Sequence, residues 1–338
     1  MPIPAIRHAH ANDHPVHEDG DYVLYWMTAF RRANHNFALQ HAVDRARQIT
    51  NRWPSADLHH FLERGGIGEL PIDHAVPPSR LIVGGSAEAK SRLDEVFERN
   101  LKAYGDDRNH PDEHVTTGLS PHVHFGHISA HEIILKLLDH ENWTPDQAST
   151  ANGKNHGFWN TSPTAEAFLD QMLTWHEMGF NVAFQQPDNY DKFESLPGWA
   201  QKTLDEHGNE ERPFIYSLQQ FESAKTADPL WNAAQREIVQ TGVMHNYLRM
   251  LWGKKILHWT ESPRQALSIM VELNNKYGLD GRDPNSYSGI FWVRGRYDRA
   301  WGPKRPIFGS IRYMTSESAR KKLRLKKYVE HFGPNRLT

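Results

Sequence analysis

The chain has 338 residues and a formal net charge of −2, with 39 lysines and arginines against 41 aspartates and glutamates. This length allows one large domain or two smaller ones, and the balanced charge argues against a protein that coats nucleic acid through its overall charge. The sequence contains no cysteine, which excludes disulfides, thiolate metal sites and thiol nucleophiles.

The first 20 residues are polar and rich in histidine, so they lack the apolar core of a signal peptide. No apolar run approaches the length of about 20 residues that a membrane span requires. We therefore expect a cytoplasmic protein without a membrane partner, and we expect it to be a monomer.

The first predicted elements are a short apolar strand at residues 22–26 and a helix at residues 34–53. This pair is typical of the start of a Rossmann-like layer. The alternation does not continue, because residues 54–79 contain GGIG and a Pro-Pro pair and have the composition of a loop. We expect a short, truncated α/β remnant at the N-terminus.

From Ser86 onward the pattern is helical, with short breaks at proline, glycine and asparagine. Predicted helices cover residues 86–104, 129–140, 162–177, 228–259 and 262–277. Three of these starts place serine or aspartate directly before proline, which suits an N-cap and the first helical turn. Gly242 is expected to interrupt the fourth helix. The sequence therefore predicts a mainly α protein.

Three tryptophans, Trp231, Trp252 and Trp259, belong to the predicted helical segment 228–259. Trp252 and Trp259 are seven residues apart, which on one α-helix gives nearly the same face and an axial offset of about 10 Å. Aromatic rings at this spacing can pass an electron stepwise. Helical tryptophans are also common core residues, because they bury large areas. The spacing alone leaves both interpretations open.

Three segments of unusual composition occur in one order: TTGLSPHVHFGHIS at 116–129, DPLWNAAQ at 228–235 and LNNKYGLDGRDPNSYSGIFWVRGRYDRAWGPKRPIFGSIRYM at 273–314. Together they closely resemble the class II cyclobutane pyrimidine dimer photolyases, from about Ile82 to Tyr328. The resemblance implies an all-helical FAD-binding catalytic domain at residues 81–338, preceded at 1–80 by the remnant and a linker. It implies FAD as cofactor. It implies no antenna chromophore, because residues 54–79 have the composition of a loop where the family has most of its N-terminal antenna domain.

The resemblance assigns the flavin phosphates to a loop that precedes a helix. Hydroxyls and backbone amides of this loop would meet the phosphates, and its residues are Thr116, Thr117, Gly118, Leu119 and Ser120. Without the resemblance, the segment would be interpreted only as a turn with a helix cap. A Rossmann cradle is not indicated, because the sequence has no GxGxxG motif.

Four further residues are implied to surround the flavin ring. Arg249 and Asp280 match an ion pair that would stabilise the anionic reduced ring, and pairing is needed because buried charges are costly alone. Asn274 matches a residue whose amide faces flavin N5. His176 stands where the family has an arginine near the cofactor, which makes the local charge dependent on pH.

The resemblance also gives the three tryptophans a function. They match the class II photoreduction triad, in the order Trp252, Trp231, Trp259 from flavin to surface. All three positions are tryptophan in this sequence, which implies that light-driven reduction of the flavin is retained.

A pyrimidine dimer that is flipped out of DNA requires aromatic walls and a wedge that enters the duplex. Trp175 and Trp292 resemble the two walls, and Met250 resembles a methionine that contacts the lesion. The segment that resembles the family's bubble-intruding hairpin contains Arg299, Trp301 and Arg312. Its mixture of basic and aromatic side chains is typical of contact with an unstacked DNA strand.

Gln171 departs from the family at the substrate site, where an acidic residue contacts the dimer carbonyls. A carboxylic acid can donate a proton to a carbonyl radical anion, whereas an amide can only donate a hydrogen bond. Together with the replacement at His176, this departure weakens the prediction of repair.

Histidines are closely spaced at residues 8–17 and 122–131. They form no HExxH motif and no spacing set of a structural zinc site, and no cysteine is present to join them. We therefore predict no metal site.

Three functions remain open at this stage. The leading one is light-driven, FAD-dependent repair of cyclobutane pyrimidine dimers in DNA. The second is a flavin photoreceptor, or a photoenzyme of the photolyase/cryptochrome superfamily, without dimer repair. The third is a nucleic-acid-binding module that does not depend on light.

Overall fold

The structure is a computed structural model that describes residues 66–70, 72–79, 81–151, 153–154 and 156–334, together with Ala42. The strand predicted at residues 22–26 lies outside the described residues, as does the helix predicted at 34–53 apart from Ala42, which is helical. The division of the chain at residue 80 therefore stays a prediction.

The described part of the chain is mainly α-helical, which confirms the predicted helical class. Its α-helices are α1 (Ser86–Glu95), α2 (Leu101–Asp107), α3 (Ser120–His124), α4 (Ala130–His140), α5 (Pro163–Leu169), α6 (His176–Gln185), α7 (Gly198–Glu206), α8 (Leu218–Glu222), α9 (Pro229–Thr241), α10 (Asn246–His258), α11 (Pro263–Tyr277), α12 (Pro284–Trp292), α13 (Ser316–Lys322) and α14 (Lys326–Phe332). Two π-helical segments, Val96–Asn100 and Asp170–Trp175, join α1 to α2 and α5 to α6. Short 3-10 turns lie at Gly66–Glu69, Pro111–Glu113, Pro145–Gln147 and Phe193–Ser195.

Most of the predicted helix starts are confirmed by side-chain caps. Ser129, Ser162 and Ser262 each accept a hydrogen bond from the backbone N–H three residues further on. Asp228 accepts from two backbone N–H groups of α9. Such caps satisfy donors that the first helical turn leaves free. Gly242 ends α9 in the left-handed conformation, with φ 78°, which confirms the predicted interruption.

Two predicted helix boundaries are wrong. Ser86 is the first residue of α1, and the cap position is Gly85, which has no side chain to form a capping hydrogen bond. The helix predicted to end at residue 177 continues to Gln185. Its interior contains Gly179, where a Cβ would lie 2.7 Å from the backbone of Asn285. The glycine therefore allows α6 and α12 to pack with their backbones in close contact.

Buried side chains form two apolar clusters in the described part of the chain. The larger contains Trp231 and Trp252 at the contact of α9 with α10, and Phe291 of α12. The smaller gathers side chains of α1, α2, α4 and α5 around Phe168. Members of both clusters line one large cavity. None of the described helices combines the length and the apolar character needed to cross a membrane.

Candidate functional site

The cavity measures about 1020 Å³ and brings together residues from distant parts of the sequence. This is large even for a cofactor site, which typically encloses about 300–1,000 Å³. Its walls come from the loop before α3, the second π-helical segment, α9, α10, α12 and α14. Of the nine residues predicted to hold or surround the flavin, all but Asn274 line it: Thr116, Thr117, Gly118, Leu119, Ser120, His176, Arg249 and Asp280.

The loop at residues 116–120 is held in place by Arg92 of α1. The Arg92 guanidinium donates to the carbonyl oxygens of Thr117 at 2.8 Å and Thr116 at 3.4 Å. Gly118 is left-handed, with φ 65°, and a Cβ there would lie 3.1 Å from the guanidinium. Arg92 also lines the cavity, so it presents a cation beside the loop predicted to meet phosphates. No motif in the sequence marks this arginine.

Arg249 on α10 and Asp280, which follows α11, form an ion pair on the cavity wall. Nη2 of Arg249 lies 3.1 Å from Oδ1 of Asp280, and both side chains are largely buried. Burial alone would raise the pKa of Asp280, but the Arg249 guanidinium and a hydrogen bond from Ser120 outweigh it, and the pKa is lowered. Nε of Arg249 is buried without a hydrogen-bond partner among the described residues. The pair therefore leaves one donor for a bound ligand.

His176 lines the cavity at the start of α6. Its Nδ1 lies 3.0 Å from Oε1 of Glu177, and this hydrogen bond lowers the pKa of the Glu177 carboxyl. The other ring nitrogen, Nε2, is buried and has no partner in the part of the chain that the structure describes. An unsatisfied buried polar atom costs about 1–3 kcal/mol. This nitrogen, like Nε of Arg249, therefore indicates a polar ligand in the cavity.

The three tryptophans of the predicted triad form a buried row that begins at the cavity wall. Trp252 lines the cavity, and its ring is parallel to that of Trp231, with centroids 6.5 Å apart and an interplanar angle of 5°. Trp231 meets Trp259 at 6.0 Å in an edge-to-face contact. Only 1% of Trp252, 0% of Trp231 and 3% of Trp259 is exposed, so the outermost ring is buried and does not reach the surface as the resemblance implied. The rings thus touch in the order Trp252, Trp231, Trp259.

Trp259 does not lie on the helix of Trp252, so the expectation from their seven-residue spacing is wrong. The helix α10 ends one residue earlier, and Trp259 follows it with φ −120° and ψ 18°. The two rings are connected through Trp231, which contacts both. The outer end of the row is covered by Tyr216, whose ring lies 5.6 Å from Trp259, and by Lys255, whose ammonium lies 4.9 Å from the same ring.

The indole N–H groups of the two inner tryptophans are bound by neutral oxygens. Nε1 of Trp252 donates to Oε1 of Gln235 at 2.8 Å, and Nε1 of Trp231 donates to the backbone oxygen of Trp252 at 3.0 Å. An amide or peptide oxygen accepts a hydrogen bond but is too weakly basic to take the proton. An oxidised indole at either position therefore keeps its proton, and its positive charge is free to move on.

The residues predicted to bind substrate divide into two groups. Three of them line the cavity, namely Trp175, Met250 and Trp292. The other three, Arg299, Trp301 and Arg312, lie outside it. Arg312 connects the groups, because its guanidinium carbon lies 5.7 Å from the Trp292 ring and 4.9 Å from the Trp301 ring. Arg299 contacts Trp301 at 5.0 Å, so cation–π contacts extend the cavity wall into the predicted hairpin.

The π-helical segment Asp170–Trp175 arranges two of the cavity-lining side chains. Hydrogen bonding in a π-helix joins residues five apart, and this brings Trp175 next to Asp170. Nε1 of Trp175 donates to Oδ2 of Asp170 at 3.0 Å, and Nε2 of Gln171 donates to the same oxygen at 3.2 Å. One carboxylate oxygen therefore holds both side chains.

Asn274 does not belong to the cavity wall. It is 1% exposed, and its Nδ2 donates to Oγ of Ser286 at 2.9 Å. Because Ser286 lines the cavity, the Asn274 amide is connected to the cavity through this hydroxyl. The expectation that the amide faces flavin N5 therefore stays a prediction.

Three polar residues of the cavity wall, Glu237, His245 and Tyr328, carry no signal in the sequence. Oε2 of Glu237 accepts from the Tyr328 hydroxyl at 2.7 Å and from the backbone N–H of His245 at 3.1 Å. Burial raises the pKa of Glu237 to about 7 and lowers the pKa of His245 to about 4. The three come from different elements, so only the fold shows that they meet.

Within the described residues, no group of three or more histidines and carboxylates is arranged to hold a metal ion. In the histidine-rich segment at residues 122–131, His124 instead contacts Asp283, with Nδ1 3.1 Å from Oδ2. The N-terminal histidines lie outside the described residues. The expectation that the protein has no metal site therefore stays a prediction.

The sequence is similar to curated proteins named deoxyribodipyrimidine photo-lyase. Identity to the Potorous tridactylus protein is 37% over 266 residues, which covers 78% of this chain and 46% of that protein. Identity to the Methanothermobacter thermautotrophicus protein is 39% over 247 residues, which covers 73% of this chain and 50% of the relative. Identity to the Arabidopsis thaliana protein is 39% over 240 residues, or 70% of this chain and 45% of the relative. No family model matches the sequence.

Solved structures share the fold at lower sequence identity. A class III photolyase from Agrobacterium tumefaciens matches with a TM-score of 0.58 and 18% identity, over 85% of this chain and 52% of that chain. A cryptochrome from Synechocystis sp. matches with a TM-score of 0.54 and 19% identity, over 75% of this chain and 46% of that chain. The chain spans about half the length of the curated relatives that it matches. Sequence identity and shared fold together show that the chain belongs to the photolyase/cryptochrome family.

Proposed function

We propose that this chain is the FAD-binding catalytic part of a class II type photolyase, which uses light to split cyclobutane pyrimidine dimers in DNA. One observation carries the proposal. Residues from several separate segments that match the family's flavin and dimer contacts meet in a single cavity, and Trp252 joins that cavity to a buried row of rings. The name of the sequence relatives, deoxyribodipyrimidine photo-lyase, supports the same chemistry.

The cavity residues fit FAD. Nε of Arg249 and Nε2 of His176 have no partner among the described residues, and a polar ligand would satisfy both. The loop at residues 116–120, with Arg92, would hold the pyrophosphate, and the ion pair of Arg249 with Asp280 would flank the ring. When bound, FAD supplies the absorption of blue light and the electron that splits the dimer.

The triad would deliver the electron that reduces the flavin. Trp252 at the cavity wall would give up the first electron to the flavin, Trp231 would then return an electron to Trp252, and Trp259 would return one to Trp231. Ring separations of 6.5 and 6.0 Å in a buried row suit both steps. Because the two inner indoles keep their protons, the positive charge moves outward to Trp259, which an external reductant restores.

The substrate would be a dimer flipped out of duplex DNA. Trp175 and Trp292 would stack against its two bases, with Met250 beside them. The guanidinium groups of Arg299 and Arg312 would contact phosphates near the lesion, which positions the duplex without reading its sequence. DNA is therefore the proposed partner.

Four further features belong to the proposal. These are the division of the chain at residue 80, the absence of an antenna chromophore, a monomeric state and a cytoplasmic location. Without an antenna, the action spectrum of repair is expected to follow reduced FAD alone. A stoichiometric deazaflavin or folate in the purified protein would contradict this expectation.

A photoreceptor or photoenzyme without dimer repair is the alternative, and two replacements at the cavity wall favour it. Gln171 and His176 stand where the family resemblance places an acidic residue and an arginine. The sequence relatives are named photolyases, so we prefer repair. A nucleic-acid-binding module independent of light would not explain the buried triad.

Illumination of the purified, flavin-containing protein with a duplex that carries one thymine dimer tests the proposal. We expect blue light to remove the dimer and a dark sample to leave it intact. Normal photoreduction without any removal of the dimer would replace the proposal by the alternative.

A further inference from the structure

The π-helical segment Asp170–Trp175 fixes the direction of one amide in the cavity wall. Nε2 of Gln171 donates to Oδ2 of Asp170 at 3.2 Å. The reverse orientation would place the carbonyl oxygen of Gln171 against the carboxylate, and two acceptors would then face each other. Asp170 therefore holds the nitrogen of this amide toward itself.

The fixed amide keeps two groups for a ligand. A primary amide has two N–H donors and one carbonyl oxygen, and Asp170 binds one of the donors. The oxygen Oε1 has no hydrogen-bond partner in the part of the chain that the structure describes. Because Gln171 lines the cavity, its second N–H and its carbonyl oxygen are left for a ligand.

The same carboxylate also orients the aromatic wall. In a regular α-helix, residues five apart point in directions about 140° apart. The π-helical turn brings Trp175 back to Asp170, where its Nε1 donates to Oδ2 at 3.0 Å. One carboxylate oxygen therefore sets both the direction of the Gln171 amide and the position of the ring beside which a base would stack.

We infer that Asp170 makes the cavity selective for pyrimidines that carry an imide N–H, thymine and uracil, over cytosine bases. The imide edge places an N3–H donor beside a C4 carbonyl acceptor, which complements the oxygen and the N–H of the fixed Gln171. Cytosine presents an N3 acceptor beside an amino donor. A freely rotating amide could turn to fit cytosine, whereas turning this amide would face its oxygen toward Asp170. The inference rests on the proposed function, since it requires a pyrimidine dimer in the cavity.

Thymine and 5-methylcytosine have nearly the same shape and differ on this edge, so they provide matched probes. Dark binding of the flavin-containing protein would be measured for duplexes with a thymine dimer and with dimers that carry 5-methylcytosine at either position. We expect the thymine dimer to bind about tenfold more tightly than the dimer with 5-methylcytosine at the contacted position. This is the discrimination expected from one mismatched bidentate base contact.

Two variants of Asp170 and one control variant separate positioning by Asp170 from a general effect on the fold. Asp170→Leu removes the acceptor and frees the amide, so the tenfold preference should largely disappear, chiefly through tighter binding of the 5-methylcytosine dimer. Asp170→Asn keeps an acceptor oxygen and should retain most of the preference. Asp139→Leu, which removes an exposed carboxylate on α4, should leave the preference unchanged. Thermal unfolding of each variant reports whether it folds.

Three outcomes would overturn the inference. The first is equal binding of both probes by the wild-type protein, which would leave the proposed function intact. The second is weaker binding of both probes by Asp170→Leu at an unchanged ratio, because this would show that Asp170 only supports the fold. The third is failure to bind any dimer, which would overturn the proposed function and this inference with it.

Discussion

The tryptophan triad and the π-helical segment Asp170–Trp175 border the same cavity but are stabilised in different ways. The triad consists of buried rings in contact with rings, and its two inner N–H groups are bound by neutral oxygens. The π-helical segment is half-buried and mixes polar with apolar residues, and the side chains of Gln171 and Trp175 are directed by one carboxylate oxygen of Asp170.

The difference follows from what each region has to do. Transfer of an electron between rings depends on short distances and exclusion of water, and any good packing of tryptophans provides both. Recognition of a ligand depends on the direction of individual donors and acceptors, which a single changed side chain can redirect. We therefore expect the triad to act as in other family members, and the π-helical segment to hold what is particular to this chain.

Removal of the Trp252 indole should have the largest effect, on photoreduction of the flavin. Trp252→Phe is expected to nearly abolish photoreduction while leaving the flavin content unchanged, since phenylalanine fills much of the space but is far harder to oxidise. Trp143→Phe, a change at a tryptophan that contacts Trp159 outside the triad, is the matched control. Absorbance of the flavin under blue light with an external reductant measures the rate. Equal rates of photoreduction in both variants would show that the triad does not deliver the electron to the flavin.

Removal of the buried Arg249 cation should have the next largest effect. Arg249→Gln leaves the Asp280 carboxylate buried without its partner, which is expected to cost about 3–5 kcal/mol of stability and most of the bound flavin. The control is Arg264→Gln, since Arg264 pairs with Asp205 at 3.0 Å but is 53% exposed, and its loss should cost less than about 1 kcal/mol. Urea unfolding and flavin content test both. Similar losses in the two variants would contradict a specific function of the buried pair.

A change at Gln171 tests the ligand-facing side directly. Gln171→Glu is expected to raise the quantum yield of dimer splitting, because two neighbouring carboxyls raise the pKa of one of them and Asp170 would keep the new carboxyl protonated. Such a proton can stabilise the dimer radical anion until both ring bonds break. Gln171→Met, similar in shape but without a donor, should lower the yield. If neither the wild type nor Gln171→Glu repairs a dimer while both photoreduce, the cavity serves another ligand.

The smallest predicted effect is a pH dependence of stability that arises from the buried carboxyl of Glu237. Burial raises the pKa of Glu237 from 4.5 to about 7, so its stabilising contribution is complete below pH 4.5 and is lost as the pH rises to about 7. Between pH 4.5 and pH 7, the free energy of unfolding of Glu237→Gln should therefore rise by about 2–3 kcal/mol relative to that of wild type. This follows from roughly 1.4 kcal/mol per pKa unit.

His245 provides the check on this assignment. Its pKa is lowered to about 4, so its contribution to stability grows as the pH rises from 4 to its ordinary value of 6.5. Wild type and Glu237→Gln share this trend. It therefore cancels when their free energies of unfolding in urea are compared at each pH. If the difference in unfolding free energy between the two proteins stays constant from pH 4.5 to pH 7, the pKa of Glu237 is not raised in the folded protein.

Local signals in the sequence predicted much of the described fold. Ser162, Asp228 and Ser262 precede proline and cap their helices as expected, because a cap depends only on residues within one turn. The cavity-lining position of Arg249 and of Trp252 followed from the family resemblance rather than from any local pattern.

Contacts between distant residues could not be predicted in this way. Arg92 meets the loop at residues 116–120 across 25 positions, and Glu237 meets Tyr328 across 91. The π-helical turn that starts at Asp170 contains no glycine or proline that would mark it. Trp259 was predicted to be helical but lies one residue beyond the end of α10, and only the packing of Trp231 between the other two rings places it in the row.

One time course tests the central claim, that a light-driven triad and a dimer-binding cavity act together in this chain. Protein with oxidised flavin, an external reductant and a thymine-dimer duplex would be illuminated with blue light and compared with protein reduced by dithionite beforehand. We predict repair in both samples, with a lag in the first that matches its photoreduction and no lag in the second. Photoreduction without repair in either sample would contradict the account.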